Sequence, residues 1–394
     1  HLSCTHWQFE DGAQAAALYA QHTAPRIQLE ADYLTATPSE AKAIEAAEEA
    51  FVALERLKKD KKKPTKADLK EMARLDYVIE RGKYAAEELK KRQTRRRAFA
   101  VSSGNDNRLR AMLNQAAPHR TVAQDQLDAE ALAFNTANGT LRFECHAVPD
   151  PECPDPDVDR MQDIWVVRHD AHAPGDLISK VSPVEYDRNA TAPKFLASLE
   201  RFQPNAEKRH WLHKYYGYGI TGLNGEQCLV FNGGGGSNWK STFTEIVFRV
   251  IGDYGATLKF ESLAGEGATT GAQASPDIAR LPRARLVRAS EPDRGAQLKE
   301  SLIKALTGGE PMITRHNFGN FFQFYPVFKL SLSGNDKPEI GGVDHGIWRR
   351  WRYIVWPVTI ADDERREFDE VIAELWEERA GILNWLIDGA LLYL

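Results

Sequence analysis

The chain has 394 residues, 42% of them apolar and 27% charged, and a net charge of −5, which leaves room for two domains and a sizeable core. It contains no run near the ~18 apolar residues of a membrane span and no signal-peptide pattern, so no membrane partner is expected. The cysteines Cys4, Cys145, Cys153 and Cys228 form no CxxC pair; neither a zinc site nor a disulfide framework is indicated, and the expected location is a reducing cytoplasm. His1 stands where an initiator Met would, so a piece of a longer protein is expected.

In chain order, Thr37-Pro38-Ser39-Glu40 reads as a helix start, with an N-cap Thr, Pro at the first helical position and Glu where a capping box places it. The Ala- and Glu-rich stretch after it runs to about Lys63 and stops at Pro64. A second helix is predicted from after Thr65 to about Arg92. Between residues 56 and 97 there are 17 Lys and Arg against 7 Asp and Glu, so the rest of the chain carries −15. Such segregation marks either a solvated helical face or a surface turned toward a polyanion. Both readings stay open for Lys58-Lys59, Lys61-Lys62-Lys63 and Arg95-Arg96-Arg97.

Residues 134–143 read as two short strands around an Asn138-Gly139 turn, and residues 149–159, rich in proline and acid, as a loop or linker. After about Phe202 the pattern alternates. Strands are predicted at 227–232, 284–290, 327–333 and 352–358, and helices at 243–251 and 297–306. The tail from Asp363 onward is predicted as amphipathic helix.

The sharpest motif is Gly233-Gly234-Gly235-Gly236-Ser237-Asn238-Trp239-Lys240-Ser241-Thr242, set between a predicted strand and helix. Phosphate binding needs small residues that let backbone amides wrap the anion, a helix N-terminus, a Lys for the β- and γ-phosphates and a hydroxyl for magnesium. Gly234, Lys240 and Ser241 have the spacing of GxxxxGK[ST], with Gly236, Ser237, Asn238 and Thr242 as further contacts, so ATP and Mg2+ are the implied cofactors. Trp239 replaces the glycine before the lysine. A side chain forced to positive φ costs roughly 1–2 kcal/mol, which a folded domain can absorb with the indole turned away from the nucleotide. Glu291, directly after the strand at 284–290, is either a carboxylate that activates water and helps hold Mg2+ beside Ser241, or an N-terminal carboxylate of the next helix; a P-loop upstream favours the first.

Here the residues resemble a known family. Glu291-Pro292, Lys304-Ala305-Leu306-Thr307-Gly308-Gly309-Glu310 and Ile313-Thr314-Arg315 look like the middle motifs of superfamily 3 helicases, and within them of the primase-helicases of satellite phages, plasmids and poxviruses. Leu330-Ser331-Leu332-Ser333-Gly334-Asn335 resembles the sensor motif, and Asp344-His345-Gly346-Ile347-Trp348-Arg349-Arg350 the arginine-finger segment. Asn138-Gly139, Tyr186-Asp187 and residues 211–217 resemble the region preceding the motor. The likeness spans roughly residues 100–360, and it departs at Trp239 and at Glu310, where Asp is more usual.

The resemblance implies an AAA+-like α/β motor with a central parallel sheet, preceded by a mostly helical accessory domain. The expected division is 1–200 for the accessory domain, 201–360 for the motor and 361–394 for a helical extension. It further implies a homo-oligomeric, hexameric ring with the family's 3′-to-5′ polarity. Asn335 would sense the γ-phosphate or place the water, and Arg350, with Arg349 second, would act in the neighbouring subunit's site. A hairpin between residues 311 and 325 would reach single-stranded or forked DNA, with Arg315, His316 and Phe318 as grip residues and Lys304 beside them. A priming domain or primase is the expected partner. Rival readings are a non-motor nucleotide-binding replication scaffold or origin-binding module, and a viral RNA helicase using the same motor.

Overall fold

The computed structural model describes residues 5–7, 12–60, 63–119, 122, 124–150, 161–265, 277–290, 295–315, 319–341 and 345–394. The first half comprises helices α1 (Gly12–Gln21), α2 (Thr23–Tyr33), α3 (Pro38–Asp60), α4 (Lys66–Ser103) and α5 (Asp106–Ala116), then strands β1 (Ala133–Thr136), β2 (Gly139–Pro149) and β3 (Met161–Asp170). Helices α6 (Pro193–Phe202) and α7 (Ala206–Ile220) lead into β4 (Leu229–Gly233), α8 (Lys240–Ile251), β5 (Gly255–Thr257), α9 (Phe260–Leu263) and β6 (Leu286–Ser290). There follow α10 (Glu300–Gly308), β7 (Met312–Arg315), β8 (Phe321–Phe324), β9 (Lys329–Gly334), α11 (His345–Trp348), β10 (Trp351–Val355), α12 (Phe368–Trp376) and α13 (Arg379–Tyr393). None of the described helices is long and apolar enough to cross a membrane.

Two compact units emerge: one comprises Phe9–Val122, the other Ala123–Leu394 with the N-terminal segment containing Trp7. In the helical unit, the cap expected at Thr37 is present. Its amide donates to Glu40 Oε2 at 2.9 Å, and the Glu40 amide donates to Thr37 Oγ1 at 3.4 Å. Thr65 and Asp68 repeat the arrangement at 2.9 and 3.3 Å, so both long helices begin with their first amides satisfied. Helix α4 continues well past its predicted end near Arg92. Three of the arginines there are neutralised from other helices, Arg92 by Glu40, Arg96 by Glu30 and Arg97 by Asp32. Ala50, Leu54, Leu75 and Ile79 form the buried core of the α3–α4 hairpin. A Cβ on Gly82 would lie 2.2 Å from the Ala47 Cβ, so only glycine permits the helices this approach.

The sheet unit opens with antiparallel β1–β2–β3, whose Thr136↔Gly139 register places the Asn138-Gly139 turn as expected. Strand β2 is longer than predicted and pairs as far as Pro149↔Met161. The main sheet is parallel throughout, in the order β10-β4-β9-β6-β5. Its central strands β4 and β9 are buried on both faces, whereas the edge strands β5 and β10 are partly exposed. Val230, Leu286 and Ile354 turn toward α7, α8, α12 and α13, while Leu229, Phe231, Val287 and Leu330 turn toward a second core that includes Leu302, Ile303 and Leu306 of α10. The tail differs from the amphipathic helix predicted after Asp363. It is two helices, and α13 is sunk in the core through Ile382, Leu383, Leu386 and Ile387.

The compact units do not divide at residue 200 or 360, because buried contacts tie the intervening segments to the sheet. The Arg285 guanidinium donates to the carbonyls of Ile220 and Ala133, both at 2.5 Å, and of Glu130 at 3.2 Å, and lies over the Tyr254 ring. Lys329 donates to the carbonyl of Thr221 at 2.6 Å. Burial pushes the pKa of both groups down, yet both buried cations have carbonyl partners, the condition under which burying a charge is tolerable.

Candidate functional site

Four of the five parallel strands end at one cleft of about 790 Å3, or feed the loop that lines it. Ligands of open α/β sheets bind at such carboxyl edges. After β4 the chain turns through Gly236 (φ 94°), Ser237 (φ 43°) and Trp239 (φ 64°) into α8. Gly234 sits where a Cβ would be 1.9 Å from Asn238 Nδ2 and 2.8 Å from the Trp356 carbonyl, so the glycine is a steric requirement of the loop. Asn238 Nδ2 donates to that same carbonyl at 3.1 Å, and the Ile360 amide donates to the Ser237 carbonyl at 2.7 Å. The segment after β10 therefore braces the loop from behind.

The Lys240 ammonium lies inside the loop and donates to Asn335 Oδ1 at 2.8 Å, to Asn238 Oδ1 at 3.2 Å and to the Gly234 carbonyl at 3.4 Å. Residues distant in sequence, one after β4 and one after β9, are thus in direct contact. Strands β4 and β9 are hydrogen-bonded neighbours in the register Gly233↔Gly334, which accounts for that meeting. Ser241 and Thr242 also line the cleft, Ser241 from an exposed position on the first turn of α8.

Trp239 takes the left-handed conformation expected of the glycine it replaces. Its indole is buried at 5% exposure and stacks on Phe202 with centroids 5.7 Å apart, beside Phe195, Phe243 and Trp356. Burial of an aromatic ring contributes more than the ~1–2 kcal/mol that positive φ costs. The side chain is a prop for the loop.

Ser290, at the end of β6, lines the cleft; Glu291 follows it and lies outside the described residues, as do His316 and Phe318. Arg288 shares the cleft side of β6 with Ser290; the alternation of a strand could have pointed to it, although no motif does. Its guanidinium donates to Glu245 Oε2 at 2.6 Å and to Thr257 Oγ1 at 3.0 Å. Burial works against the Glu245 carboxylate, but bonds from Arg249 and Arg288 outweigh it and hold its pKa below the usual value. The far wall was not foreseen either: Arg201 and Phe202 from α6, and Glu364, Arg366 and Phe368 from the tail. Arg201 pairs with Glu364 at 2.5 Å.

The other expected residues lie elsewhere. Arg350 is 8% exposed and donates to Thr307 Oγ1 at 3.0 Å, to the Gly346 carbonyl at 2.7 Å and to Gln227 at 3.4 Å, whereas Arg349 is exposed and reaches Gln227 Oε1 at 2.8 Å. Neither lines the cleft. Lys304 lies 3.9 Å from Glu300 on α10. Strands β7 and β8 form the expected hairpin, with Arg315 paired to Phe321 and its guanidinium over that ring at 4.9 Å.

Residues 3–204 match the family model described as D5 N terminal like. The chain belongs to this family. The match to D5 N terminal like proteins covers the helical unit, β1–β3 and α6, and ends before the Lys240 loop. Among curated proteins, "Putative helicase L207/L206" of Acanthamoeba polyphaga mimivirus is 26% identical over 185 residues, 46% of this chain and 19% of that protein. The similarly named 022R of Frog virus 3 (isolate Goorha) is 24% identical over 177 residues, 44% of this chain and 18% of its own length. The chain spans about a fifth of the length of these relatives. Among solved structures, the A form apo structure of the NrS-1 C terminal region aligns over 63% of this chain and 68% of its own, at 9% identity and a TM-score of 0.39. An apo structure of the region 305–718 aligns over 60% and 67%, at 10% identity and a TM-score of 0.41. Likenesses of that size carry no argument.

Proposed function

We propose that this chain carries the ATP-driven motor of a replicative DNA helicase, an AAA+-like P-loop ATPase of the superfamily 3 kind that works as part of a primase-helicase. The observation that carries the reading is the 2.8 Å contact between Lys240 and Asn335 at the carboxyl edge of the parallel sheet. A P-loop lysine and a polar group on the adjacent strand converge where a γ-phosphate would lie. The family match and the helicase names of two viral relatives support the same reading.

In this reading the loop amides and Lys240 hold the phosphates, and Asn335 places the attacking water or contacts the γ-phosphate. Glu291 takes the proton of that water. Ser241, exposed on the first turn of α8, and Glu291 would hold Mg2+, which would neutralise charge on the phosphates. An arginine from a neighbouring subunit completes the site in a ring. Arg349, exposed, suits that role better than Arg350, whose donors are spent on Thr307, Gly346 and Gln227. The β7–β8 hairpin, with Arg315 on it, is the candidate strand contact in the ring.

The test is ATP hydrolysis with and without single-stranded DNA, on this chain and on Lys240→Ala. Loss of one preorganised donor typically costs roughly 3–4 kcal/mol, or about 10²–10³ in rate. DNA-stimulated hydrolysis that the substitution removes supports the motor; nucleotide binding without turnover in an assembled ring would replace it with the scaffold reading.

A further inference from the structure

We propose that the outer face of α4 is a binding surface for single-stranded DNA, separate from the nucleotide cleft and independent of hydrolysis. Lys70, Arg74, Tyr77, Arg81, Tyr84 and Arg95 recur at alternating intervals of three and four residues, apart from one gap, and every one of them is exposed. That spacing keeps them on one side of a helix. At about 1.5 Å per residue the stripe runs roughly 38 Å.

Two features separate this stripe from an ordinary solvated face. The first is its rings: Tyr77 is 63% exposed and Tyr84 65%, one above the other two turns apart. Large apolar side chains repeated on an otherwise charged surface mark an interaction site more than a solvation layer. The second is how charge is distributed around the helix. Toward the C-terminal end of α4, Arg92, Arg96 and Arg97 each pair with a carboxylate of α2 or α3. Along the stripe, Arg74 pairs with Glu71 at 3.4 Å, whereas Lys70, Arg81 and Arg95 enter no ion pair among the described residues. The one carboxylate within the stripe, Glu88, is taken up by Lys91 at 2.7 Å, and the Lys91 ammonium lies 5.9 Å from the centre of the Tyr84 ring. Glu80 and Glu87 fall to one side of the stripe, where Lys83 pairs with Glu80 at 2.9 Å.

The chemistry that fits is a flexible polyanion with accessible flat faces. Cations about one, two and four turns apart meet phosphates along the strand, and the tyrosine rings between them give unpaired bases a surface to stack on. Duplex DNA would satisfy the cations but keeps its bases stacked internally, which leaves the tyrosines without a role. The two arginine populations of α4 thereby acquire different functions, the one bonded to α2 and α3 closing the bundle and the one along the stripe meeting the strand.

The experiment is fluorescence anisotropy of a labelled oligo(dT) with the full chain, without nucleotide, across a salt titration. Tyr77→Ala/Tyr84→Ala should weaken binding about 5- to 100-fold for each ring that stacks on a base, and Tyr77→Phe/Tyr84→Phe, which keeps the rings, should restore it. Arg74→Gln/Arg81→Gln/Arg95→Gln should reduce the slope of log affinity against log salt by about two. Lys240→Ala should bind oligo(dT) like the parent chain, so failure of the motor reading leaves this result standing. The proposal is overturned if the Ala pair binds within twofold of the parent, if the weakening seen in the Ala pair persists in the Phe pair, or if duplex DNA binds as tightly and equally well to both.

Discussion

In the helical unit the buried core of the long hairpin consists of Ala50, Leu54, Leu75 and Ile79, whereas in the sheet unit apolar side chains cover both faces of the central parallel strands. The helical unit adds side-chain caps at Thr37 and Thr65 and surface ion pairs between its helices. Its charges consequently stay at the surface, where they are free to meet a partner. The sheet unit buries its charges and commits them: Arg285 and Lys329 hold carbonyls of other segments, and Lys240 is fixed among three oxygens. A site that must aim one ammonium needs the second kind of construction. A surface that tracks a flexible strand tolerates the first.

The largest test of that contrast is Arg285→Met, which strips the buried carbonyls of Ile220 and Ala133 of their donors. It should destabilise the sheet unit by about 3 kcal/mol or more in urea unfolding, since buried acceptors left unmade incur their full desolvation cost. A smaller change would mean that water reaches those carbonyls. Trp239→Gly should relieve the strained φ yet lose the ring packing on Phe202, for a net loss of roughly 2–3 kcal/mol. Hydrolysis should stay within a few-fold of the parent chain, because the indole props the loop from the core side. If activity instead collapses with the fold intact, the indole itself belongs to the site.

In the helical unit, Gly82→Val should cost about 1–3 kcal/mol by forcing α3 and α4 apart, read as an early melting phase by circular dichroism. An unchanged melt would show that the hairpin tolerates a wider spacing. The smallest expected effect is that of acid. The Arg92 guanidinium bonded to Glu40, helped by the Thr37 amide, holds the Glu40 pKa at about 2 instead of the usual 4.5. A carboxylate with a depressed folded-state pKa contributes stability above its unfolded value and loses it as pH falls through the folded one, here between about 4.5 and about 2. Glu40→Gln should flatten that part of the stability–pH curve, and a parallel shift of the whole curve would assign the effect to packing.

Local signals were legible. The cap at Thr37, the helix start after Thr65, the Asn138-Gly139 turn and the strand before Gly233 each rest on a few neighbouring residues and are where the sequence placed them, and the helix expected at 243–251 begins three residues earlier, at Lys240. The meeting of Lys240 with Asn335 was implied by family likeness; strand order supplies its geometry. The tail was misread because α13 is apolar nearly all round, a pattern that says buried without saying against what. Nothing local distinguishes the adjacent Arg349 and Arg350; contacts with Thr307 of α10, Gly346 and Gln227 take Arg350 inward.

By itself, then, the sequence determined where the two long helices start, where the glycine-rich turn between a strand and a helix lies and how charge is segregated along the chain. Those properties depend on backbone conformation and on residues a turn or two apart. Tertiary structure alone decided which side of α4 keeps its arginines exposed, that the Trp239 ring faces Phe202, and that β1–β3 and the tail belong with the parallel sheet. Each of those outcomes follows from burial and hydrogen bonding between segments far apart in the chain, whose energies exist only once the segments have met.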